Sequence, residues 1–163
     1  MNAVTSNSDN FAEEIQEFKN ILESSGVHSA LHFLNKRTPH RFTGIYRYDQ
    51  ETLRNLALYD VYNPELEKGE DAPMQFTYCS LLKNYETLEI NNAAEDIRVK
   101  DKIITPVISY FGVLMRDLHG APIGSLCHFD MQPCDERLTD FPLLESAAKI
   151  LSQYFYAQEL KKL

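Results

Sequence analysis

Residues 110–130 read YFGVLMRDLHGAPIGSLCHFD. Two runs rich in aromatic and β-branched residues flank Leu118-His119-Gly120-Ala121, and such runs favour extended backbone. Gly120 supplies the positive φ that a tight loop between paired strands needs. The stretch therefore predicts two strands, Tyr110 to Asp117 and Pro122 to Asp130, joined as an antiparallel hairpin.

Working outward, Leu138 to Leu163 predicts a long helix. Thr139 or Asp140 can cap it, and Pro142 suits its first turn. Its apolar stripe (Phe141, Leu144, Ala148, Leu151, Phe155) is widened by Leu143, Ala147, Ile150 and Tyr154, enough to cover a sheet and leave a second face for another partner. Upstream, Asn92 to Ser109 is irregular, with room for one helical turn. Thr87 to Asn91 is a brief strand, and Phe76 to Tyr85 fits a short helix. Asn63 to Pro73 is a polar loop. Leu53 to Tyr62 and Arg41 to Asp49 predict two strands around a turn at Asp49 to Thr52. Leu53 to Tyr62 is apolar on both parities, so both of its faces are covered. At the start, Phe11, Ile15, Phe18, Ile21 and Leu22 recur at helical spacing behind a cap at Ser8 or Asp9, and Gly26 ends that helix. Val27, Ala30, Leu31 and Leu34 form a second short helix, closed by Pro39. Residues 1–8 are small and polar, a disordered leader, with one domain over 9–163. Hairpins dominate and helices sit mainly at the ends, which implies an α+β domain: an antiparallel sheet with helices on both faces.

Composition narrows the function. The chain has 163 residues, a formal charge of -8, and 16 Lys and Arg against 24 Asp and Glu. That balance lacks the basic stripe a nucleic-acid surface needs. No run of eighteen apolar residues suggests a membrane span, and the start does not read as an export signal. The three cysteines, Cys79, Cys127 and Cys134, form no Cys-x-x-Cys pair. The expectation is reduced thiols in a cytoplasmic protein without a zinc site.

The hairpin also carries a family resemblance. Tyr110, Gly112, Val113, Arg116, Asp117, Gly120, Gly124, Ser125, Leu126, Cys127 and Asp130 stand where a GAF domain has its last two sheet strands: an aromatic, Gly-Val, a charged hairpin with Gly, then Gly-small-Leu-Cys and a closing Asp. Phe76-Thr77-Tyr78-Cys79-Ser80 resembles the Phe-Cys helix start of that family, and Leu88 to Arg98 its strand and loop with Asp and Arg. The resemblance spans about residues 15 to 160. It implies a GAF-like (profilin-like) sheet of five or six strands and a sensory or regulatory module that binds a small molecule between the sheet and segments 74–84 and 92–109. It also implies dimerisation through the terminal helices, or a signalling partner. Leu114 stands where many relatives have Pro. The Asn-Lys-Phe-Asp-Glu set of cyclic-nucleotide binders and the bilin-attachment context are both missing, and no cofactor is specified.

The candidate ligand-binding residues are Tyr46, Phe76, Tyr78, Tyr110 and His128, with Asp96 and Arg98 in the long loop and the thiols Cys79 and Cys127. Arg98 can grip a carboxylate or phosphate, although a surface ion pair explains it somewhat better. Tyrosines suit a pocket lining and an ordinary core alike. A GAF-type enzyme that reduces free methionine sulfoxide uses thiols near this region, so an enzymatic reading would rest on Cys79 and Cys127. The Gly-Arg-Gly-Val-Cys-Gly context of that enzyme is absent around Cys79. Cys127 lies within a strand, where a thiol is usually core. Its neighbour His128 faces the other side of the sheet, so the two cannot act as nucleophile and base. His128 is expected as a half-buried structural histidine, with haem ligation or pH sensing as the functional alternative. A ligand-free interaction domain, its pocket filled by its own aromatics, is the third reading. His28, His32, His40 and His119 are expected in solvent, and Cys134 in a surface loop.

Overall fold

The computed structural model describes residues 7–135 and 140–161. In chain order the elements are α1 (Asn7–Ser25), α2 (Val27–Asn35), β1 (Phe42–Asp49), β2 (Thr52–Asp60), β3 (Ala72–Pro73), α3 (Tyr78–Tyr85), β4 (Thr87–Ile90), β5 (Ser109–Arg116), β6 (Pro122–Asp130) and α4 (Phe141–Lys161). The strands form one sheet in the order β3-β2-β1-β6-β5-β4, with every pairing antiparallel. This is the expected α+β architecture with six strands.

The β5–β6 hairpin forms as its sequence dictates. Gly120 takes φ +83°, and the Asp117 carboxylate accepts from the His119 and Ala121 amides, both at 2.9 Å, closing the loop as an Asx turn. Asp130 ends β6 and accepts from the Arg41 amide at 2.9 Å, tying β6 to the start of β1. Leu114 donates its backbone N–H to the Glu86 carbonyl at 2.8 Å, a bond a proline could not make.

Side-chain alternation gives each face of the sheet its own core. Ile45, Ala57, Tyr59, Phe111, Val113, Met115 and Leu126 pack against Phe18 and Leu22 of α1, Leu31 and Leu34 of α2, and Leu144, Ala148 and Leu151 of α4. On the other face Phe42, Leu58, Leu88, Ile90, Tyr110, Cys127 and Phe129 pack against Tyr78, Cys79 and Leu82 of α3, with Met74 and Val99. β2 is therefore covered on both sides, as its sequence demanded. A bulge between Ile45 and Tyr46 explains its irregular parity, because it lets Leu56 join Ala57 on the terminal-helix side. Asn55, buried at the bulge, donates to the Ala57 carbonyl at 3.0 Å and accepts from the Gly69 amide at 2.7 Å. This fastens the polar loop onto the sheet.

Several expectations need correction. α1 begins at Asn7, ahead of the expected caps, and residues 1–6 of the expected leader lie outside the described residues. Thr139, one expected cap of α4, also lies outside them. The polar loop ends in a two-residue strand, β3. α3 starts at Tyr78 because Thr77 caps it, accepting from the Ser80 amide at 3.2 Å. Phe76 falls outside the helix with φ +68°. Cys134 is buried, not a surface residue, and its amide donates to the Asn91 carbonyl at 2.8 Å. His40, expected in solvent, is 3% exposed. It stacks on His128 with ring centroids 6.1 Å apart.

Candidate functional site

The α3 face of the sheet centres on Cys127. Its cross-strand neighbours are Gly44 on β1 and Gly112 on β5, so no side chain rises beside it from either strand. Tyrosines from the same strands lean into the gap. A Cβ at Gly112 would lie 2.5 Å from the Tyr110 hydroxyl, and one at Gly44 would lie 3.0 Å from the Tyr46 ring. Gly112 is part of the family pattern, but nothing in the sequence marks Gly44. Their role is visible only once the register is known.

α3 brings Cys79 onto this patch. The Cys79 sulfur lies 3.3 Å from the Tyr110 hydroxyl and accepts from the Ser125 hydroxyl at 3.1 Å. Cys127 belongs to the same buried cluster as Cys79. Ser125 and Cys127 are two residues apart on β6 and so point the same way. Cys79 is 4% exposed, Cys127 0% and Tyr110 2%. Burial pushes the Cys79 thiol up, but the polar groups around it, the neighbouring Cys127 thiol and the Ser125 and Tyr110 hydroxyls, outweigh burial and hold it below the usual thiol range. Burial, followed by the neighbouring Cys79 sulfur, drives Cys127 well above that range. The Tyr110 phenol is likewise raised, first by burial. Tyr48 docks the helix from below, its hydroxyl donating to the Cys79 carbonyl at 2.6 Å, while the Lys83 ammonium sits 4.7 Å over its ring.

Tyr78, the first residue of α3, stacks on Tyr110 at 4.9 Å and donates to the Val107 carbonyl at 2.6 Å. Its outer side forms one wall of a cleft of about 340 Å³, lined also by Ala93, Ala94, Val99, Lys100, Asp101, Ile103, Thr105 and Val107. The segment between β4 and β5 thus builds the cleft. It contains the expected single helical turn, closed by Lys100 N–H to Asp96 carbonyl at 2.8 Å.

The sequence-named residues divide into four groups. Tyr46, Cys79, Tyr110 and Cys127 gather on the buried patch, and Tyr78 joins that patch to the cleft. Asp96 and Arg98 pair with each other at 2.7 Å, and Arg98 also donates to the Glu89 carbonyl at 2.8 Å. The guanidinium thus pins the cover to the edge strand, and neither residue lines the cleft. Phe76 is 42% exposed. His128 lies on the opposite face, as its parity required. There its Nδ1 meets the Thr43 hydroxyl at 2.6 Å, and Phe111 stacks on its ring. Burial holds His40 at about 4 and His128 at about 3. Ser125, quoted only for the family resemblance, was not named as a site residue, and Tyr48 was noted only among the tyrosines that could line a pocket. Ser125 was findable, being two positions before Cys127 in the same strand. Among the described residues, no three metal-ligating side chains gather, and no helix is long and apolar enough to cross a membrane.

No protein-family model matches the sequence, and no curated protein does. Solved structures do match. The GAF domain of an Acinetobacter phosphoenolpyruvate-protein phosphotransferase superposes with a TM-score of 0.71 at 17% identity, over 94% of this chain and 98% of that one. Free methionine-R-sulfoxide reductase from Neisseria meningitidis, solved with its substrate, gives 0.70 at 14% identity over 99% and 97%. The GAF domain of a phosphoenolpyruvate-protein phosphotransferase from Coxiella burnetii gives 0.69 at 11% identity over 97% and 100%. With its six antiparallel strands, terminal helices on one face and α3 on the other, the chain has the GAF-like fold that GAF domains and free methionine-R-sulfoxide reductases share.

Proposed function

We propose that this protein is a regulatory module, acting in the cytoplasm, that binds a small molecule in the cleft between Tyr78 and the segment joining β4 to β5. The observation that carries this reading is the cleft itself. Its volume of about 340 Å³ sits at the small end of ligand pockets. Apolar walls (Tyr78, Val99, Ile103, Val107) meet one ammonium (Lys100), one carboxylate (Asp101) and one hydroxyl (Thr105). That lining suits a small metabolite with both an apolar part and charged or hydrogen-bonding groups. The sheet face below is filled by Tyr46, Tyr110 and the thiols, so a guest belongs in the cleft and not against the strands. Binding would order the cover and bias α3. Output would pass to a second copy or a signalling partner through α1 and α4, where Tyr154 and Phe155 remain only partly buried.

Native mass spectrometry of the protein as purified tests this reading. An extra mass is expected on the parent and lost in Ala94→Phe, which fills the cleft from its rim. A parent that carries no extra mass, and whose thermal stability a metabolite panel does not shift, refutes it.

The gathering of Cys79 and Cys127 in one buried cluster favours a second reading: a thiol-dependent reductase like the Neisseria protein. Both thiols are buried and neither lines the cleft, so a substrate would need an opening to reach them. Reduction of free methionine sulfoxide with a thiol donor, lost in Cys79→Ser, would establish it.

A further inference from the structure

The thiol pair supports an inference that is independent of any ligand in the cleft. Cys79 comes from the first turn of α3 and Cys127 from the middle of β6, two elements held only by packing and hydrogen bonds. Both thiols lie in one buried cluster, and Ser125, on the same face of β6 as Cys127, reaches the Cys79 sulfur. The Ser125 and Tyr110 hydroxyls both converge on Cys79, at 3.1 and 3.3 Å. A sulfur that accepts several hydrogen bonds is stabilised as thiolate, the reactive form. Cys127 keeps its proton and can also donate to the Gly44 carbonyl, 3.8 Å away. Gly44 and Gly112 leave the space beside Cys127 to the Tyr46 and Tyr110 rings. One nucleophilic sulfur with a second, protonated sulfur in the same buried cluster is the arrangement of an attacking and a resolving cysteine.

We propose that Cys79 and Cys127 are an oxidisable pair that a small hydroperoxide converts to a disulfide within the folded protein, tying α3 to β6. The Cys79 thiolate attacks the terminal peroxide oxygen. The O–O bond breaks, the alkoxide takes the proton given up by Cys79 and leaves as an alcohol (water, for hydrogen peroxide), and Cys79 becomes a sulfenic acid. The Cys127 sulfur then attacks that sulfur. An S–S bond forms, and hydroxide leaves with the Cys127 proton as water. Two thiols are oxidised by two electrons and one peroxide is reduced. A dithiol reductant reverses the bond by exchange. The burial of both sulfurs restricts the oxidant to small molecules and protects Cys79 from further oxidation once the bond has closed.

The test treats the full-length protein with hydrogen peroxide, quenches it, then denatures, alkylates and maps it without reduction. The expected product has lost two alkylatable thiols of the three present and has a mass lower by two hydrogen atoms. It contains a peptide linking Cys79 to Cys127 and reverts with dithiothreitol. Cys134→Ser gives the same link, whereas Cys79→Ser and Cys127→Ser give none. If either serine variant fails to fold, the map of the parent still decides. The same oxidation in denaturant should scatter the links among the three cysteines. A parent that keeps three free thiols, gains two oxygens at Cys79 without a link, or joins either residue to Cys134 overturns the proposal.

Discussion

His40 and His128 make acid stability the sharpest quantitative test of this structure. Both are buried, at 3% and 1% exposure, and they stack on each other. The Nε2 of His40 is buried with no hydrogen-bond partner. The other groups facing the pair are the Thr38 and Thr43 hydroxyls, at the two Nδ1 atoms, and Asp130, which only partly offsets the burial of His40. Burial lowers their folded values to about 4 and about 3, against about 6.5 for an unfolded histidine. Between those limits the unfolded chain binds protons that the folded chain refuses, so stability must fall as pH falls. At pH 5.5 each histidine costs roughly 1.4 kcal/mol, about 3 kcal/mol for the pair, a large part of an ordinary domain's total. Urea unfolding at pH 7.5, 6.5 and 5.5 measures this in a window above the titration of the carboxylates. The midpoint should drop across it, and the doubly substituted His40→Gln, His128→Gln protein should lose most of the drop. A parent protein equally stable at pH 7.5 and 5.5 would refute the burial of an uncharged pair.

Three further outcomes follow from packing. Gly124→Ala places a Cβ 2.0 Å from the Tyr46 carbonyl oxygen, so β6 must move off β1; a loss of about 3 kcal/mol is expected in denaturant unfolding. Asn55→Ala removes the acceptor of the part-buried Gly69 amide and should cost about 1 kcal/mol, with faster hydrogen exchange confined to the loop between β2 and β3. Leu114→Pro removes the bond to the Glu86 carbonyl and should lower thermal stability by a few degrees, about 1 kcal/mol, without changing the fold seen by circular dichroism.

The architecture was legible where local pattern and global packing agree. Gly120 between two β-rich runs required the hairpin, and the 3.6-residue stripe from Phe11 to Leu22 required a helix. Gly26 then ended it at φ +92°. The parity of Cys127 and His128 correctly put them on opposite faces. What escaped the reading depends on partners distant in sequence. Nothing near His40 announces that it will be buried against β6, and the polar setting of Cys134 hides its burial. Phe76 looked like a helix residue because its spacing matched, but Thr77 is the better cap and starts the helix after it. The pocket was expected between the sheet and segments 74–84 and 92–109, whereas the sheet face there is filled and the cleft lies between Tyr78 and the segment joining β4 to β5. Its lining was not legible, because the loop has no periodicity from which inward positions could be read.

The position of β6 has a mechanical consequence. It is hydrogen-bonded to a neighbour on each side, so it cannot slide without breaking two ladders at once. Ser125, Cys127 and Phe129 bear on one layer of the molecule, Leu126 and His128 on the other. A strain applied by α3 would reach α1, α2 and α4 as a change in the pleat of that strand, passed across the thickness of the sheet from one side chain to the next.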